Sequence, residues 1–105
     1  MAKSLAVIQM EFAKAKAQAN RLDAIADNLT RTSDNQLGTA LAGVRNNWKS
    51  DSAAAYIQKG QKLQQEINKR AKELHQTASA LRTIAQNTYN AEMAAYRLAI
   101  ARKYK

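Results

Sequence analysis

The sequence predicts an all-α fold: one domain over residues 1–105, an antiparallel two-helix hairpin that pairs into a four-helix bundle. Three observations carry this. The chain of 105 residues has no proline and three glycines, too little punctuation for a loop-rich or all-β fold. Both halves repeat apolar residues at alternating spacings of three and four, the signature of one helix face. Near the midpoint, Asn46, Asn47, Ser50, Asp51 and Ser52 form a cluster whose short polar side chains bond to nearby backbone and favour caps and turns. Helix 1 then covers about residues 4–46, the bend about 46–51, helix 2 about 52–102, and a basic tail 103–105.

Helix 1 opens on Ser4 as N-cap. Leu5, Ile8, Phe12, Ala15, Ala19, Leu22, Ala26 and Leu29 follow on one face, with Lys14, Lys16, Arg21, Asp23, Asp27 and Asn28 between them, and Ile25 widens the stripe. After Leu29 the pattern slips. Residues 30–36 hold no large apolar side chain, and the interval from Leu29 to Leu37 is eight rather than seven. A local break, a kink or a register shift would each produce this, as would a continuous helix with a polar interruption. Gly38 and Gly43 each weaken the helix by about 0.5–1 kcal/mol relative to alanine, so residues 32–38 are expected to be the weakest part of this arm. The apolar set resumes at Leu37, Leu41, Val44 and Trp48.

The bend carries the only tryptophan, and Ser50, Asp51 and Ser52 are all credible N-caps for helix 2. On helix 2, the track 60, 63, 67, 70, 74, 77, 81, 84, 88, 91, 95, 98 is apolar at Leu63, Ile67, Leu74, Leu81, Ile84, Ala91, Ala95 and Leu98, but not at Gly60, Arg70, Thr77 or Thr88. Ala71, Ala78 and Ala85 flank this seam and permit close approach, as does Gly60 near the bend; Arg70 is expected to lay its methylenes on the seam. A second stripe, Tyr89, Met93, Tyr96, Ile100 and Tyr104, lies on a neighbouring face. An arm of ~45 residues is ~68 Å long, so residue 4 faces about residue 95, and Ile100 and Tyr104 overhang the first arm. A single layer of two helices supplies little net stability, and these stripes are wider than one seam. The predicted interface to a partner is therefore Leu5, Ile8, Phe12, Leu22, Tyr56, Leu63, Ile67, Leu74, Leu81, Ile84, Met93, Ile100 and Tyr104.

Charge narrows the partners. Seventeen Lys and Arg against eight Asp and Glu give a net charge of +9, which favours acidic partners, and Arg97, Arg102, Lys103 and Lys105 all follow the last acid, Glu92. Cations near a helix C-terminus also offset its dipole. With no cysteine, neither a disulfide framework nor a thiolate metal site can form. The single histidine, His75, is expected to be solvated in its helix. No Gly-rich phosphate loop, HExxH, nucleophile elbow or paired carboxylates appear. Ser50, Asp51 and His75 hold the residue types of a triad, but a rigid helix keeps the histidine about 35 Å from the bend. The expectation is a non-enzyme with no catalytic residue, no cofactor, no metal and no small-molecule substrate. No stretch approaches the length of a spanning helix, and the N-terminus lacks the apolar core of a secretory signal. The protein is thus expected to be made in the cytoplasm without a cleaved signal.

Trp48, one intervening residue and the small Ser50 at the midpoint, with Ala55 and Tyr56 following, resemble the Trp-Xaa-Gly bend of the WXG family, small helical hairpins handled by type VII secretion systems. The resemblance covers the whole chain in length and architecture and these few residues in motif, with serine in place of the usual glycine. It implies a secreted or cell-surface protein, an export substrate or export partner. Such a protein pairs with itself, with a related hairpin or with the helical N-terminal domain of a larger toxin, and it is recognised by a secretion ATPase. The family's export signal joins the bend to a C-terminal Tyr followed four residues later by an acid. Here Tyr89 has Met93 in that place, with Glu92 one residue earlier, and Tyr96 has Ile100. Trp48, Ser50, Tyr89, Glu92 and Tyr96 are therefore the candidate recognition residues, and the missing acid points to a partner that supplies the motif or to a variant signal. The competing class is a basic helical nucleic-acid-binding module, which the charge supports; the absence of helix-turn-helix spacing, and basic residues that surround the helices, argue for no nucleic acid.

Overall fold

A computed structural model describes residues 3–103, and every element among them is helical. α1 spans Leu5–Arg31, a π-helical turn spans Thr32–Leu37, α2 spans Gly38–Asn47 and α3 spans Asp51–Lys103. The bend is thus residues 48–50, narrower than expected, because Asn46 and Asn47 remain helical. The chain divides into two compact units. One, here the bend unit, is Asp23–His75; the other, the terminal unit, joins Met1–Leu22 to Gln76–Lys105.

In the bend unit the chain reverses on itself, and the contacts step backwards along α3 as they step forwards along the first arm. Asp23 meets His75, Ser33 meets Gln64, and Leu41 lies against Gly60. The slip after Leu29 is resolved as a register shift inside continuous helix. Leu29, Ser33, Leu37 and Leu41 follow one another at intervals of four, and all four turn inward, Ser33 and Leu41 fully so. An α-helix of 3.6 residues per turn cannot hold three such intervals on one face. The wider π turn absorbs the extra residue, and the Gly38 N–H donates to Ser33 O five residues back. Ser33 is wholly buried yet satisfied: Gln64 Nε2 donates to its carbonyl at 3.0 Å, and its own hydroxyl donates to Gln64 O at 3.4 Å.

Of the three candidate caps, Ser50 is the one used. Its hydroxyl accepts from the Ala53 N–H at 3.3 Å and its carbonyl from the Ala54 N–H at 3.2 Å. No described residue has positive φ, so the serine is under no strain where the WXG pattern has glycine. Ser4 caps α1 in the same way, accepting from the Val7 N–H at 3.3 Å.

In the terminal unit α1 and α3 again run antiparallel: Lys3 reaches Glu92, Phe12 stacks on Tyr89, and Arg82 donates to Asn20. The face expected of α1 is the face found. Ile8 and Ala19 are buried here, Ala26 in the bend unit, with Phe12, Ala15, Leu22 and Leu29 half-buried between them.

The seam on α3 is displaced from the expected one by one residue. Ala71, Ala78 and Ala85, expected to flank it, are its buried centre. Gly60, Ile67, Leu74 and Leu81 sit beside them, half-buried, while Leu63, Ile84 and Leu98 stand more than half exposed. Arg70, expected on the seam, projects into solvent and pairs with Glu66 and Glu73 at 3.0 Å each. The reason is steric. Two helices approach most closely where both carry small side chains, so the alanines take the centre and push the larger residues to the flanks. Six of the eight buried hydrophobic residues described are alanine, which leaves a core with little apolar area to remove from water.

Candidate protein-binding surfaces

Two surfaces offer large apolar side chains that their own unit does not cover. The first belongs to the bend unit. The Trp48 N–H donates to Val44 O at 2.9 Å, ending α2, and the residue itself is extended at φ −115° and ψ 124°. Asn47 Nδ2 donates to Gly43 O at 2.8 Å, folding its side chain back onto that last turn. With its backbone fixed by these bonds, Trp48 leaves 58% of its surface exposed, between the exposed cations Arg45 and Lys49. On α3 of the same unit Tyr56 and Leu63, seven residues apart, are 57% and 51% exposed. They border a shallow groove of about 220 Å³ floored by Leu37, Leu41 and Gly60.

The second surface belongs to the terminal unit. A groove of about 180 Å³ runs between α1 and α3, lined by Ile8, Phe12, Ala15, Leu81, Ile84 and Tyr89 and almost free of polar surface. Ile84 is 60% exposed, and Leu98, fourteen residues on, is 54% exposed on the same side of the helix. Lys3 ties the two helices beside this groove, donating to Glu11 at 2.7 Å and to Glu92 at 2.9 Å; those two hydrogen bonds raise the ammonium well above its ordinary pKa.

The expected recognition residues fall into different settings. Trp48 and Ser50 sit together at the bend, Trp48 open to solvent and Ser50 engaged as a cap. Tyr89 is half-buried, its ring 4.5 Å from that of Phe12 at an interplanar angle of 25°, with Lys16 over the Phe12 face. Glu92 is held by Lys3, and Tyr96 is half-buried. Of the expected interface, Tyr56, Leu63, Ile84 and Ile100 are exposed; Leu5, Phe12, Leu22, Ile67, Leu74, Leu81 and Met93 are half-buried; and Ile8, at 1%, is spent within its own unit. Tyr104 lies outside the described residues.

His75 departs from expectation. It is not free in solvent but bridges to α1, Nδ1 at 2.6 Å from Asp23 Oδ1 and Nε2 at 3.2 Å from Asp27 Oδ1. The signal was present in the sequence, as two carboxylates four residues apart on one helix, but identifying their partner required the register between the arms. Among the described residues, no group of three His, Cys, Asp or Glu could hold a metal ion, and no helix is long and apolar enough to cross a membrane. The chain matches no protein-family model, no curated protein and no solved structure.

Proposed function

We propose that this chain is a WXG-like helical hairpin of a type VII secretion system, an export substrate or export partner that works by binding other helices. In this reading Trp48 and the C-terminal part of α3 form the recognition surface. The exposed flank of α3 pairs with a second copy, a related hairpin or the helical N-terminal domain of a larger toxin, giving a four-helix bundle. One observation carries it: the only tryptophan stands more than half exposed at the bend, two residues before a serine that caps the next helix. A tryptophan needed only as a plug would be sunk between the helices. The thin alanine seam and the exposed Leu63, Ile84 and Leu98 support the pairing, since each hairpin gains by covering them.

Two substitutions test the reading separately. Trp48→Ala should keep its helical circular dichroism and its dimer or partner binding but lose export from the producing cell. Loss of folding, or normal export, overturns the recognition role. Ile84→Asp should leave each hairpin helical and turn a dimer into a monomer by sedimentation at micromolar concentration. A wild-type chain that sediments and melts cooperatively as a compact monomer, with or without a helical partner, overturns the pairing.

A second reading has its own observation. Lys59, Lys62, Lys69 and Lys72 lie on the solvent side of α3 in the bend unit, while the nearby acids Glu66 and Glu73 are both engaged by Arg70. Such a row suits the phosphates of a nucleic acid. Tight binding of unrelated duplexes at about 150 mM salt, with a steep salt dependence, would favour it over the export role.

A further inference from the structure

His75 is the only histidine of the chain, and both its ring nitrogens face carboxylates. A neutral imidazole has one N–H and one lone pair, so it can satisfy one of these carboxylates but must turn a lone pair on the other. The imidazolium donates from both nitrogens. The arrangement therefore fits the charged ring, held between Asp23 and Asp27 one turn apart on α1. Around it, from α1, come Asp23, Asp27 and Arg31, which shares the shallow depression beside the ring with Thr30. On α3 itself the charged residue one turn before the ring is Lys72.

We propose that His75 is a proton-operated tie between the two arms of the bend unit, closed when the ring is an imidazolium and open when it is neutral. Asp23 and Asp27 are the positioning residues, and the tie acts whatever the hairpin binds. The ring's pKa is raised from its ordinary 6.5, first by the hydrogen bond to Asp23 and then by the two carboxylate charges, with partial burial acting against them. A histidine whose folded pKa lies above its unfolded value contributes stability that is fully present below about 6.5. That contribution is lost as the pH rises through the folded value. The bend unit is thus tied below about pH 6.5 while the two carboxylates stay ionised, and loosened as the pH rises through the folded value, the reverse of a histidine buried neutral.

Because there is one imidazole, nitrogen NMR of the full chain reads it without assignment. The titration midpoint should lie above 6.5 in the wild type, fall in Asp23→Asn, and fall furthest in the Asp23→Asn/Asp27→Asn double variant. The urea midpoint of the wild type should drop between pH 6 and pH 9 by more than that of His75→Gln, which keeps the bulk but not the titration. A wild-type midpoint at or below 6.5 overturns the tie with no variant needed. So does a midpoint unchanged by the double substitution, or a His75→Gln chain with the wild-type pH dependence.

Discussion

Gly60 gives the sharpest test of the packing near the bend. A Cβ built on it would stand 2.3, 2.9 and 3.0 Å from Leu41 Cδ2, Cδ1 and Cγ, all far inside van der Waals contact. Leu41 is 3% exposed, so relieving the clash means turning its side chain out of its packed position toward the adjoining groove. Two terms of opposite sign then compete in Gly60→Ala. Alanine gains about 0.5–1 kcal/mol of helix propensity over glycine. Overpacking a filled core costs about 1–3 kcal/mol. The clash should win, leaving a net loss of up to about 2.5 kcal/mol. Gly43 is the internal control: it is helical, and a Cβ there meets nothing within 4 Å. Gly43→Ala should therefore stabilise by about 0.5–1 kcal/mol, since only the propensity term remains. Gly38 falls between, with Gln64 Nε2 at 3.3 Å, the tip of a side chain that can move a few tenths of an ångström. Urea denaturation followed by helical circular dichroism, at one protein concentration, ranks the three. If Gly60→Ala proves as stable as Gly43→Ala, the close approach of Leu41 to α3 is wrong, and with it the register of the bend unit.

Two further outcomes follow from local structure. Ser50→Ala removes the acceptor for the Ala53 N–H and should cost about 0.5–2 kcal/mol, whereas Ser50→Gly should cost only a few tenths, both read as shifts in urea midpoint. Removing the exposed Asn35 brings Leu29 and Leu37 back to a seven-residue interval, so the π turn should revert to α-helix with helicity kept; unfolding of the chain, seen as lost circular dichroism, would show that the turn is required.

The parts of the fold that could be read from sequence were those fixed by one helix at a time. The face of α1 follows from Leu5, Ile8, Phe12 and their successors because a helix must bury whichever stripe is apolar. The Ser4 cap follows from the chemistry of orphan N–H groups, which at the bend left Ser50, Asp51 and Ser52 as alternatives. What sequence reading missed depends on both arms at once. The eight-residue interval pointed to a fault near residue 33, but a polar serine gave no hint of being the core residue that fills it; that became visible only with Gln64 opposite. His75 looked solvated because its neighbours on α3 are polar, and the two carboxylates that hold it are on the other helix.

The displacement of the α3 seam bears most directly on function. By hydrophobicity alone, Leu63, Ile84 and Leu98 belong inside, and alanine is an indifferent flank. Packing reverses this because the small residues allow the helices to come closer. The closer approach leaves Leu63 exposed in the bend unit and Ile84 and Leu98 exposed in the terminal unit, with Ile84 lining the apolar groove there. A chain optimised only for its own stability would gain by placing those side chains in the seam. Here each unit has a tight, low-yield alanine contact and keeps its larger apolar side chains uncovered, and the tryptophan at the bend is treated in the same way. Uncovered apolar side chains of this kind are what a second helical chain would cover, so the proposed pairing and the exposed Trp48 are better understood together than as two separate oddities.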